Sequence, residues 1–223
     1  MFDKFSEAIA QGLPGDLWDS ANLAVRKLLH RELPTFEVRS SAFESFGRIP
    51  PLFTADGTGE SPPLEWLNVP EGAACVALIV EDADSATPQP LVHAIAVVEG
   101  GNGSLGVGAL TPSERSAQAP SAGAGAGAGE NRLTVGLNSF LRRAWLPPDP
   151  PPGRGEHRYV FQMFALGPGA ELPGGRTALI EAVIDRGLAV GWLVGVYSRE
   201  QPVKLDNLAE AMDLPTDAPM FAT

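Results

Sequence analysis

A chain of 223 residues, 44% hydrophobic and 19% charged, is long and apolar enough to bury a core of its own, which excludes an intrinsically disordered protein. Its net charge of −11 excludes nucleic acid as the main partner, because tracking a phosphate backbone takes clustered Lys and Arg. The N-terminal MFDKFSEAIAQGL lacks a cationic start and an apolar run, no window approaches the ~18 apolar residues of a membrane helix, and the one cysteine, Cys75, permits no internal disulfide, so the expected setting is cytoplasmic with no integral membrane association.

Residues 1–34 read as a helical N-terminal extension, with Leu17, Ala21, Ala24, Val25, Leu28 and Leu29 on the helical period and Pro34 beyond the end. His30 is expected to be a solvated residue of its last turn. Residues 35–200 form the expected domain, in which 36–38, 48–53, 73–80, 92–98 and 157–166 are strand candidates divided by Pro- and Gly-rich turns. Such spacing favours an antiparallel β-sandwich over alternating βαβ units. Cys75, inside an apolar run, is expected to be buried as a small hydrophobe. Residues 111–130, ending in AGAGAGAG, read as a mobile loop. One late helix is expected over 176–188, with Leu179, Ile180, Val183, Ile184 and Leu188 along one face, followed by a strand over 190–197. Residues 201–223 form a C-terminal tail with a short amphipathic patch.

The segment G101-N-G-S-L-G106 satisfies G-x-G-x-x-G after a strand, but the following VGALTPSER has no helical period, so it reads as a turn and not as a dinucleotide site. Glu81, Asp82 and Asp84 crowd carboxylates at a strand end, and like charges so close raise one another's pKa unless a cation, a His or backbone donors compensate. A solvated turn, a divalent-cation site, and a pairing of Asp82 with His93 and His157 are the competing readings. Strand alternation sends His157 and Tyr159 to one face and Arg158 to the other, directly after the stiff loop PPDPPP. If the strands are neighbours, Asp82, His93 and His157 make a polar pocket able to hold a phosphate or carboxylate.

Taken in order, SPPLEW at 61–66, DAD at 82–84, His93 and PPPGRGEHRY at 150–159 resemble the phosphatidylethanolamine-binding protein family, specifically its bacterial Raf kinase inhibitor-like branch, over residues 36–199. The resemblance implies a β-sandwich with a small pocket for phosphate-like anions and phospholipid head groups, no established catalytic step, no cofactor or metal, and a homodimer. Carried onto this sequence, it implies as ligand-binding residues Asp82 from the family's D-P-D-x-P, the strand histidine His93, His157 and Tyr159 from H-R-Y, the pair Pro150 and Pro151, and Trp145. Trp145 stands where the family has a tyrosine, and Pro147 where it has a glycine whose N–H could meet an anion. The expected function is therefore non-catalytic binding of a small anionic ligand or a phosphorylated group; the alternative is an enzyme using the Asp-His pocket for acid-base chemistry on a small acyl or phosphoryl substrate.

Overall fold

Eight consecutive buried residues, CVALIVED, make Cys75–Asp82 the strand around which the other elements are laid. A strand buried on both faces needs a layer on each side. In the computed structural model of the protein, which describes residues 22–28, 33–111, 132–170 and 174–200, both layers are present.

The strands are β1 Glu37–Arg39, β2 Gly47–Arg48, β3 Leu64–Leu67, β4 Cys75–Asp82, β5 Leu91–Glu99, β6 Gly103–Leu105, β7 Leu133–Val135, β8 His157–Leu166 and β9 Gly187–Tyr197, with one α-helix, α1, at Arg176–Arg186. They form a three-stranded sheet in the order β1-β3-β6 and a six-stranded sheet in the order β2-β9-β8-β4-β5-β7. The larger sheet is mixed, because β2 runs parallel to β9 while its other pairs are antiparallel. The fold is thus mostly β with few helices, and the wholly antiparallel arrangement expected is broken at that edge.

Alternation divides the core. Val76, Leu78 and Val80 of β4 join Tyr159, Phe161 and Met163 of β8 and the small sheet's Val38, Leu64, Trp66 and Leu105 in a front cluster. Ala77 and Ile79 join Val160, Phe164, Leu179 and Val183 in a back cluster beneath α1. Cys75 packs in that back layer, where burial raises its thiol pKa.

Several expected elements change length for local reasons. The strand expected over 48–53 stops at Arg48, since Pro50 and Pro51 cannot donate to a ladder and Pro51 instead opens a 3-10 turn, Pro51–Phe53. The helix stops at Arg186, so Leu188 lies in β9; the Gly187 N–H caps Val183 O, and a Cβ at Gly187 would stand 2.5 Å from that oxygen. Ile184 is exposed, which leaves Leu179, Ala182 and Val183 as the buried stripe. Three short strands, β3, β6 and β7, went unforeseen, and β6 uses the glycine-rich segment itself: a Cβ at Gly103 would stand 2.8 Å from Trp66 Cζ2, while the Trp66 indole donates to Gly101 O. That segment is a close-packing edge and carries no helix.

Of the N-terminal extension, the described piece is a 3-10 helix, Ala24–Leu28, seated on the back of the sheet. The remainder of the expected helix, most of the 111–130 segment and the tail lie outside the described residues.

Candidate functional site

Register decides which side chains meet at the front end of the larger sheet. Asp82, the last residue of β4, lies directly across from Tyr159 of β8, and His157 is two residues earlier on the same face. The Asp82 Oδ2 to His157 Nδ1 distance is 2.8 Å, and the two side chains are only 6% and 10% exposed. Because a carboxylate can only accept, Nδ1 carries the proton, which leaves His157 Nε2 as the group that can face a ligand. The other Asp82 oxygen accepts from the Asp84 N–H, so the carboxylate is fixed from both sides.

His93 reaches the same cluster by a bulge. Val80 pairs with Ala94 and Glu81 with Val92, so His93 has no cross-strand partner and the alternation slips there. Its ring then lies edge-on to Tyr159 at 5.1 Å between centroids and tilted against Trp145 at 6.1 Å. His93 Nδ1 donates to Leu146 O at 2.7 Å, and the Leu146 N–H donates back to His93 O. Burial drives the His93 pKa down, against the opposing effects of the Leu146 carbonyl and Asp82, so its Nε2 is a lone-pair acceptor. Burial likewise drives Tyr159 far above the ordinary range, helped by Asp82 and Asp84, which keeps its hydroxyl a neutral donor.

Among the described residues two buried side-chain polar atoms have no hydrogen-bond partner, His93 Nε2 and Tyr159 Oη, and both belong to this cluster. Each costs on the order of 1–3 kcal/mol when left unpaired. The cluster therefore offers one acceptor, one donor and an Asp-held imidazole.

The remaining expected residues are placed differently. Trp145 roofs the cluster, stacked on Phe161, but its indole N–H is already given to Phe53 O. Pro150 is buried and Pro151 exposed, and the cluster's hydrogen bonds and ring contacts include neither. Pro147 packs at Gly59, where φ is +72° and a Cβ would stand 3.0 Å from the proline ring.

The crowded carboxylates resolve into three separate partnerships. Glu81 turns to the back face, where its oxygens accept from Ala24 N, Gln162 Nε2 and Arg176 Nε at 2.7, 2.6 and 2.6 Å. Asp82 holds His157, and Asp84 takes Arg158 in a bidentate pair as well as the Arg158 backbone N–H. Burial pushes the Asp84 pKa up, but the Arg158 bonds outweigh it and hold the carboxyl below its ordinary value. Among the described residues no group of His, Cys, Asp and Glu is arranged to hold a metal ion.

A separate open hollow of about 420 Å³ is lined by Arg48, Asp56, Pro152, Tyr197, Ser198, Arg199 and Glu200, and none of the cluster residues lines it. Within it Arg199 pairs with Asp56 and Asp149, and Tyr197 donates to Asp56. That pairing ties the proline-rich loop to the end of β9, and sequence reading had no signal for it.

Two sheets enclosing an aromatic core, with a polar Asp-His-Tyr cluster at one sheet end, define a mostly β domain. The profile of the phosphatidylethanolamine-binding protein family matches residues 39–198, and the chain belongs to that family. A UPF0098 protein of Aquifex aeolicus is 31% identical over 167 residues, covering 74% of this chain and 89% of its own. Among solved structures, the CT736 PEBP homolog of Chlamydia trachomatis is 26% identical with a TM-score of 0.59, covering 74% of this chain and 99% of that one. Escherichia coli YbcL, 22% identical with a TM-score of 0.62 over the same shares, has a similar fold.

Proposed function

We propose that the protein is a non-catalytic binding protein for a small anion that brings a donor proton of its own, such as monoprotonated phosphate, a phosphate monoester or phosphoethanolamine. The observation that carries this reading is the pair of unpartnered buried atoms beside the Asp82–His157 bond. An anionic oxygen takes the Tyr159 O–H and, when His157 is protonated, its Nε2–H; the ligand's own O–H or N–H satisfies His93 Nε2. The family's pocket, carried over by resemblance, selects the same side chains. His157 is the rim residue, and the more deeply buried Tyr159 and His93 lie behind it. The cytoplasmic setting, the Raf kinase inhibitor-like branch and the homodimer belong to the same reading and rest on the sequence. No helix among the described residues is long and apolar enough to cross a membrane.

Calorimetric titration with inorganic phosphate and with phosphoethanolamine tests the reading. Saturable binding that is lost in His157→Ala and in Tyr159→Phe is expected. Equal heats in wild type and both variants would reject it.

A further inference from the structure

We propose that the tip of the loop between β7 and β8, formed by Phe140, Leu141, Arg142 and Arg143, docks the protein on an anionic lipid surface. Phe140 and Leu141 are 61% and 78% exposed, the most exposed large hydrophobic residues among those described. Water-facing apolar side chains on a loose loop would carry little meaning, but this tip is built. The buried Asn138 accepts through Oδ1 from the N–H groups of Phe140 and Arg142 at 3.0 and 3.1 Å and donates through Nδ2 to Ala144 O at 2.9 Å. Its own backbone closes the turn, donating to Arg142 O and accepting from Leu141 N, each at 2.9 Å. Ser139 fastens the turn to β5, with its N–H on Val92 O and its hydroxyl accepting from Val92 N.

Leu141 sits at φ +57°, a left-handed conformation that glycine adopts freely and leucine does not. The tip therefore keeps a large apolar side chain where backbone preference favours its removal, which is the pattern of strain held for a function. Both arginines that follow are exposed, in a chain whose net charge is −11. Arg143 lays one guanidinium nitrogen on Val135 O at 2.8 Å.

Size and charge select the occupant. Two side chains on a convex turn fall far short of the roughly 1,200–2,000 Å² that a stable protein–protein contact buries. A lipid interface needs no such area: a few apolar groups enter the acyl boundary while neighbouring Arg or Lys side chains meet the phosphates, and salt screens the second contribution. Phe140 and Leu141 with Arg142 and Arg143 have that composition in four consecutive residues.

The test is co-sedimentation of the full chain with phosphatidylcholine vesicles containing phosphatidylglycerol, against vesicles of phosphatidylcholine alone. Binding to the anionic vesicles is expected, weakened by salt and about ten-fold weaker in Leu141→Gly and in Arg142→Glu/Arg143→Glu. Leu141→Gly should melt no lower than wild type and should still bind phosphate, which separates lost docking from lost folding or a lost pocket. Equal sedimentation of wild type and both variants, or no binding to anionic vesicles, would overturn the proposal. So would a dimer that Leu141→Gly turns into a monomer with no vesicle effect, which would assign the tip to contact between copies.

Discussion

Asp82 Oδ2 and His157 Nδ1 stand 2.8 Å apart across neighbouring strands, and that one bond sets the tautomer and aim of the less deeply buried of the two strand histidines among the described residues. Removing the carboxylate should let the ring turn and take either tautomer. Asp82→Asn is expected to weaken phosphate binding about ten-fold or more, the worth of a charge-assisted hydrogen bond. Calorimetry on a variant shown to be folded by near-UV circular dichroism checks it.

The back of β4 makes a stability prediction. Glu81 is wholly buried and joins the N-terminal 3-10 helix, β8 and α1 through Ala24 N, Gln162 and Arg176. Glu81→Ala leaves those donors facing a void, and the expected loss is about 3–5 kcal/mol by urea unfolding. Arg176→Met in the same background should cost less than it does alone, because its partner is already gone.

Acid should destabilise the fold through His93. Its pKa in the folded protein lies below the ordinary 6.5 because burial favours the neutral ring, so the unfolded chain takes up the proton first. This contribution is therefore complete above pH 6.5 and is lost as pH falls below it, by up to about 1.4 kcal/mol per pH unit. The decline should be shallower in His93→Leu, as read from urea midpoints across that range.

Gly103→Ala should disturb the small sheet although the residue looks like a turn glycine. Its new Cβ would meet the wholly buried Trp66 ring at 2.8 Å, and overpacking of this kind costs about 1–3 kcal/mol. A lower melting temperature with a shifted Trp fluorescence maximum is the expected signature.

Much of this was readable from residue order, and the exceptions have physical causes. Two-residue alternation places Asp82 with His157 and Tyr159 on the front and sends Glu81 to the back, because regular strands obey it. His93 was legible as a strand residue but its direction was not, since a bulge opposite Val80 and Glu81 re-aims it and no residue type announces a bulge. The 24–28 stretch follows a helical period yet forms a 3-10 turn: Ala24 and Val25 give their N–H groups to the side chains of Glu81 and Gln162. Those partners lie 57 and 137 residues away, beyond any local pattern.

Histidine-selective NMR tests the central claim most directly, because the chain has only three histidines, His30, His93 and His157. Titration with phosphoethanolamine should shift the ring resonances of His157 and His93 along one saturation curve and leave His30 in place. Ring signals that stay fixed at millimolar ligand, or that move for His30 alone, would contradict a binding site built on Asp82, His93, His157 and Tyr159.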